Sequence, residues 1–263
     1  MDLQLQGKTA FVSGSTHGIG FAVASTLAEE GARVIVNGRH AEGVDAAVAE
    51  LRRAHPGAAH AGLVADFADT TTVDRLLAEL GEVDILVNNV GLFGLAEFES
   101  ITDDEWLRYL EVNLMSGVRL SRHALPGMLH RGWGRILFVS SESGVNVPAD
   151  MIHYGVTKAA MIALSNGLAK LTRGTAVTVN TVLGGPTFSH GVANTIESIA
   201  AAQSAPVEAV TASIIGQNRT TLLERFIQPE EIASLVAYLA SPLASATNGA
   251  AVRVDGGVLT GML

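Results

Sequence analysis

The sequence predicts a single α/β domain, a doubly wound, seven-stranded parallel sheet with helices on both faces. Three observations predict it. Short β-branched runs alternate with longer Ala/Leu-rich segments of helical spacing along the whole chain. The runs are apolar throughout rather than every second residue, as strands covered on both faces require. The chain has 263 residues, 48% of them hydrophobic and only 16% charged, enough to bury one large core.

The first expected strand, Thr9–Ser13, runs into Ser13-Gly14-Ser15-Thr16-His17-Gly18-Ile19-Gly20, where a helix opens and continues to Glu30. Glycines there let the backbone turn sharply and approach a pyrophosphate, and the helix amino terminus supplies unpaired N–H groups and partial positive charge. Strand, glycine turn and helix together predict the Rossmann dinucleotide-binding arrangement, although a glycine turn alone is weak evidence. Strand Arg33–Asn37 precedes helix Gly43–Ala54, and strand Gly62–Ala65 precedes helix Thr71–Leu80. Strand Val83–Asn88 leads to one long helix, Asp103–Met128, and strand Arg135–Ser140 to helix Tyr154–Thr172. Strands Ala176–Val182 and Ala251–Asp255 complete the set, with helix Pro229–Ala240 between them. Pro229 followed by Glu230 and Glu231 is a favourable helix start. Between Gly184 and Arg225 no strand is expected and Thr, Ser, Asn and Gln become frequent. That long insertion, on the edge where such sheets bind ligands, predicts a substrate lid at about 184–225.

Composition narrows the function. The formal charge is −9, with no local Lys/Arg cluster, which argues against a nucleic-acid partner. Without cysteine, disulfides, thiolate catalysis and Cys-based metal sites are excluded. The start, Met1 to Lys8, lacks the basic and apolar regions of a signal peptide. No apolar run approaches the roughly 20 residues that cross a bilayer. A cytoplasmic protein with no membrane partner is expected. The eight histidines form no ligand cluster, and no metal site is expected.

Spaced motifs then carry a resemblance over essentially the whole chain. The glycine turn, with three residues between Gly14 and Gly18, is followed in order by Ala65-Asp66-Phe67, Asn88-Asn89-Val90-Gly91, Asn113, Ser141, Tyr154-x-x-x-Lys158 and Val254-Asp255-Gly256-Gly257. This series resembles the short-chain dehydrogenase/reductase family. The resemblance implies an NAD(P)-dependent oxidoreductase with Asn113, Ser141, Tyr154 and Lys158 as its catalytic tetrad. It implies cofactor contacts from Gly14, Ser15, Thr16, His17, Gly18, Ile19 and Gly20, from Asp66 and Phe67 at the adenine, and from Asn89, Val90 and Gly91. Val90 replaces the family's usual Ala. Gly184 stands where relatives carry Pro, which predicts a looser turn before Gly185 and Thr187; Thr187 is the candidate for the nicotinamide carboxamide.

The end of the second strand decides the cofactor. A carboxylate there would bond the ribose hydroxyls of NAD and repel a 2′-phosphate. The chain has Gly38 and Arg39 instead, so a guanidinium is at hand to pair with phosphate. NADP(H) is favoured, with NAD(H) as the alternative, and His17 is a second donor on the same side.

Tyr154 and Lys158 lie one helical turn apart and share a face. A nearby ammonium favours phenolate and is expected to lower the phenol pKa from about 10 toward working pH, where a general acid–base is most effective. Ser141 ends a strand on the ligand-facing edge, positioned to hold the substrate oxygen; Ser140, Glu142 and Ser143 compete with it, and the family's spacing selects Ser141. By resemblance Asn113 interrupts its helix and holds a water that links Lys158 to solvent, while Lys158 also bonds the nicotinamide ribose. From the sequence alone Asn113 reads only as a helix irregularity. His153 is either a substrate-facing residue or a surface helix-start residue. Phe93, Val145 and Phe188 read equally as pocket lining or core, and Trp106 and Trp133 as structural.

The expected activity is therefore hydride transfer between nicotinamide and a small carbonyl or alcohol, with Tyr154 as general acid–base. An NADPH-linked carbonyl reductase, 3-oxoacyl reductase-like, competes with an oxidative NAD-linked alcohol, sugar or steroid dehydrogenase. A non-catalytic NADP-sensing regulator is the remaining class. The resemblance implies a homotetramer, with a homodimer as the smaller alternative.

Overall fold

The computed structural model describes residues 2–188, 190–217 and 221–262. Seven parallel strands form one sheet in the order β3-β2-β1-β4-β5-β6-β7. They are β1 Thr9–Val12, β2 Arg33–Gly38, β3 Ala61–Val64, β4 Ile85–Asn88, β5 Trp133–Ser141, β6 Ala176–Gly184 and β7 Ala251–Val254. The strand order reverses between β1 and β4, which pair through Ala10–Ile85, Phe11–Leu86 and Val12–Val87. The carboxyl ends of those two strands therefore flank the crevice in which sheets of this kind bind ligands.

Continuous apolar strands follow from two covered faces. Ala10, Val12, Val34, Val36, Ile85, Val87, Leu137 and Val139 pack into one core with α1 (Gly18–Glu29), α2 (Ala41–Ala54) and α9 (Pro229–Ala240). Their neighbours Phe11, Ile35, Leu86, Ile136 and Phe138 face the other core, with α3 (Thr70–Leu80), α5 (Ser116–Arg131) and α6 (Ile152–Lys170). Successive side chains of a strand point to opposite faces, so both sets must be apolar.

Two elements depart from expectation. The single helix expected over Asp103–Met128 is α4 (Asp103–Tyr109), a π-helical stretch Leu110–Met115, then α5. Asn113, fully buried, lies in the widened stretch. Periodicity cannot show such a bulge, because one extra residue per turn leaves the apolar spacing helical on either side. Also, Gly184 is not in a loose turn. It is the last residue of β6, paired with Ser141 on one side and Val254 on the other.

The expected lid segment, 184–225, contains α7 (His190–Gln203) and α8 (Val207–Gln217). Residues 189 and 218–220 of it lie outside the described residues. Ile196, Ala200, Val210 and Ile215 pack with Phe226 into a small core of their own, and Phe188 meets Phe226 edge-on with ring centres 5.8 Å apart. Phe188 thus packs within this segment.

Candidate active site

The glycine turn is fixed from beneath by buried polar groups. Gly14 and Gly18 have φ of 61° and 59°, the left-handed region that glycine occupies without cost. Gly20 admits no side chain, because a Cβ there would stand 2.3 Å from the Gly14 carbonyl oxygen and 2.5 Å from Asn89 Nδ2. Asn89 Nδ2 donates to the carbonyls of Ser13 (3.0 Å) and Gly14 (2.9 Å). Asn37, within apolar β2, accepts from the Gly14 N–H at 3.0 Å and donates to Leu63 O at 3.1 Å. Ser13 Oγ accepts from the N–H groups of Asn89 and Val90. Sequence motifs do not single out Asn37 or Ser13. Their signal is a polar side chain inside a buried strand, which must find partners.

Helix α1 opens at Gly18 after His17, with no acidic residue in its first turn, so its amino end is suited to an anion. Gly38 ends β2 against Thr16, and a Cβ there would meet Thr16 Cγ2 at 2.5 Å. Arg39 follows, exposed and outside every ion pair among the described residues. Ser15 is buried, with Oγ donating to Val12 O at 2.6 Å; Ile19 packs partly against the core. Asp66 is half-buried, its Oδ1 accepting from Ala68 N at 2.9 Å. Phe67 is 2% exposed and its ring belongs to the core, so only its backbone is available to a ligand. The cradle fits a dinucleotide: glycine where side chains would clash, a helix amino end, and a cation at the end of β2.

The catalytic candidates meet at the carboxyl ends of β4 and β5. Gly91 lies over Asn113 and Lys158, since a Cβ on it would be 3.5 Å from both Asn113 Oδ1 and Lys158 Nζ. Asn113 Oδ1 accepts from Leu92 N at 2.6 Å, and its Nδ2 donates to Leu92 O (3.0 Å) and Thr157 Oγ1 (2.9 Å). The carboxamide thus clamps the strand end to α6 one residue before Lys158, and both of its N–H groups are engaged. Lys158 is buried, donates to Val139 O at 2.9 Å and lies 5.6 Å from the centre of the Tyr154 ring. Ser140 Oγ donates to Lys158 O at 2.9 Å, which gives that serine a structural duty.

Electrostatics correct one expectation. The Tyr154 phenol is pushed above its ordinary range, not below it: burial dominates, the charges of Glu142 and Tyr109 add to it, and the neighbouring Ser141 hydroxyl opposes. Burial brings Lys158 down to about 8, against an upward pull from Glu142. Sequence spacing shows that Tyr and Lys share a helix face but not how dry that face is. His153 is neither substrate-facing nor a surface residue. It is 2% exposed, its ring 4.1 Å from that of Tyr109 and 6.3 Å from that of Trp106.

Gly185 passes so close to the end of β7 that a Cβ would meet Asp255 O at 2.5 Å. Thr187 is buried and donates to Gly185 O at 2.8 Å. Phe93 and Val145 are about half exposed beside the site. An open hollow under α8, lined by Val207, Thr211, Ile215 and Phe226, includes none of Ser141, Tyr154 and Lys158. Among the described residues no group of three or more His, Asp or Glu side chains is placed to hold a metal, and no helix is long and apolar enough to cross a membrane.

A dinucleotide cradle at the switch point, beside a half-buried Tyr154, a buried Lys158 and a strand-end serine, defines an oxidoreductase of the Rossmann class. Comparison with known proteins makes this specific. Residues 14–259 match the family model described as enoyl-(acyl carrier protein) reductase. The oxidoreductase YvaG of Bacillus subtilis is 46% identical over 260 residues, covering 98% of both chains. D-beta-hydroxybutyrate dehydrogenase of Cupriavidus necator is 33% identical over 257 residues, 96% of this chain and 98% of that one. The structure of L-sorbose reductase from Gluconobacter frateurii, complexed with NADPH and L-sorbose, superposes with a TM-score of 0.94 at 30% identity, covering 100% of both chains. The chain belongs to the short-chain dehydrogenase/reductase family, nicotinamide-dependent oxidoreductases acting on CH–OH and C=O groups.

Proposed function

We propose that the protein is an NADPH-linked reductase of a small carbonyl substrate, with Tyr154 as the proton donor. The observation that carries this reading is the half-buried Tyr154, its ring centre 5.6 Å from the ammonium of buried Lys158, with desolvation pushing its phenol above its ordinary range. Reduction needs a proton at the substrate oxygen, and a phenol that keeps its proton is suited to give it. The relative with a TM-score of 0.94 is itself a reductase complexed with NADPH.

In this reading the turn Gly14–Gly20 and the amino end of α1 hold the pyrophosphate. Asp66 and the Phe67 backbone meet the adenine, and Arg39 and His17 pair with the 2′-phosphate. Asn89, Val90 and Gly91 form the floor, and Gly185 and Thr187 flank the nicotinamide carboxamide. The reduced nicotinamide supplies the hydride when bound. Ser141 orients the carbonyl oxygen, Tyr154 protonates it, and Lys158 binds ribose hydroxyls and favours the phenolate left behind. Asn113 positions the ends of β4 and α6. Residues 184–225 form the substrate lid, and the assembly is a homotetramer.

The test is cofactor oxidation over a panel of ketones, aldehydes and 3-oxoacyl thioesters, with NADPH and NADH in parallel. Tyr154→Phe is expected to lose turnover by a factor of about 10² to 10⁴ while its NADPH affinity stays within threefold. Turnover that survives this substitution would overturn the proton-donor role.

A further inference from the structure

Glu142 follows Ser141 directly where β5 ends. Its carboxylate, half-buried, accepts from two hydroxyls, Oε2 from Ser141 Oγ and Oε1 from Ser143 Oγ at 3.2 Å. Ser141 and Ser143 are 6% and 4% exposed. Among the described residues no ion pair involves Glu142. A partly buried carboxylate that makes no ion pair is costly; burial pushes its pKa up while the serine contacts oppose, and Lys158 lies close enough to feel its charge. The reaction as described above leaves this group without a role.

Ser141 has one hydroxyl proton, and it is committed to Glu142. Orienting a substrate carbonyl with that proton requires Ser141 to turn away, which leaves the carboxylate one donor short. A buried acceptor deprived of its donor costs about tenfold to hundredfold in an equilibrium. A substrate that brings its own hydroxyl restores the balance. A hydroxyl on the carbon next to the carbonyl stands beside the carbonyl oxygen. One molecule then takes the Ser141 proton on its carbonyl and donates its own hydroxyl to Glu142. A simple ketone cannot, and a substrate carboxylate is repelled.

We propose that Glu142 is a specificity-determining residue that selects uncharged α-hydroxy carbonyl compounds by exchanging its Ser141 hydrogen bond for one from the substrate hydroxyl. The inference rests on the reductase reading above. The balance is simple: the carbonyl carbon gains hydride from reduced nicotinamide, its oxygen gains a proton from Tyr154, and the α-hydroxyl is unchanged, giving a vicinal diol.

The test compares ketones that differ in one group: 3-hydroxy-2-butanone, 2-butanone and acetoacetate, with NADPH. The wild-type kcat/KM is expected to favour the hydroxyketone over 2-butanone by tenfold or more, with acetoacetate poorest. Glu142→Ala should remove the preference, lowering the ratio of the hydroxyketone to the 2-butanone value at least tenfold. Glu142→Gln, which keeps an acceptor oxygen and drops the charge, should retain part of the preference and improve acetoacetate. Equal losses on both neutral ketones would mean that Glu142 only orients Ser141, and would overturn the proposal. Dissociation constants of the same ketones on NADP⁺-loaded Tyr154→Phe protein read the preference without turnover. A preference seen there but absent from catalysis would fault the proton-donor reading instead, and no preference in either measurement would overturn the role of Glu142.

Discussion

Arg39 stands exposed after Gly38, where the β2 strand ends against Thr16, and its value lies in what it can pair with. A guanidinium meeting a 2′-phosphate makes charge-assisted hydrogen bonds that NADH cannot return. Arg39→Ala is therefore expected to weaken NADPH binding about tenfold or more and to leave NADH binding within twofold, read by fluorescence titration of the two cofactors. Equal weakening would remove the phosphate contact from the account. At Tyr154 the same scale gives a different lesson. Proximity to Lys158 argues for an acidic phenol, yet desolvation pushes the phenol above its ordinary range. The sign of a pKa shift depends on desolvation, which no spacing rule contains.

Arg135 illustrates how one side chain ties elements together. It lies in β5, 1% exposed, and donates to Ser241 O (3.2 Å), Gly134 O (2.9 Å) and Ala176 O (2.7 Å). It thereby links β5 to the first residue of β6 and to the residue that ends α9. Its guanidinium also lies 4.7 Å from the Trp133 ring centre, which Lys8 covers from 3.9 Å. Arg135→Met conserves apolar bulk but leaves buried carbonyls without donors. It should lower unfolding stability by about 2–4 kcal/mol, measured by urea denaturation, and a change below about 0.5 kcal/mol would show that water takes over those carbonyls. The π-helical stretch around Asn113 works in the same way between α4 and α5. The bulge keeps α5 on the core while aiming Asn113 at Leu92 and Thr157.

Over the whole molecule, one group through which pH acts on stability is His60, which joins the α2–β3 connection to β2. Its Nδ1 accepts from Val34 N at 3.2 Å, so the proton sits on Nε2, facing His55 O at 3.1 Å. Burial holds its pKa below the ordinary 6.5, and the charges of His55, Arg52 and Arg33 add to that. The unfolded chain takes up a proton at His60 as pH falls below about 6.5, whereas the folded protein does so only at lower pH. Stability is therefore lost as pH falls through that window. Thermal unfolding from pH 7.5 to 5.5 should show a smaller decline in His60→Asn than in the wild type, though from a lower start. Parallel declines would assign the acid sensitivity to carboxylates instead.

The sequence by itself determined the sheet, the glycine turn and the order of the catalytic candidates. Each of these is written in local patterns: apolar strands, glycines where a turn leaves no room for Cβ, and a Tyr and a Lys one helical turn apart. All seven strand assignments fall within two residues of the observed ends. Tertiary structure alone decided how those residues are wired. Asn37 and Ser13 hold the glycine turn from neighbouring strands, Asn113 clamps Leu92 to Thr157, and Glu142 accepts a hydrogen bond from the Ser141 hydroxyl. His153, set beside Tyr154 in the chain, is buried against Tyr109. These facts turn on burial and on contacts between distant segments. A buried polar group takes whichever partner folding brings to it, and periodicity along one chain carries no record of that partner.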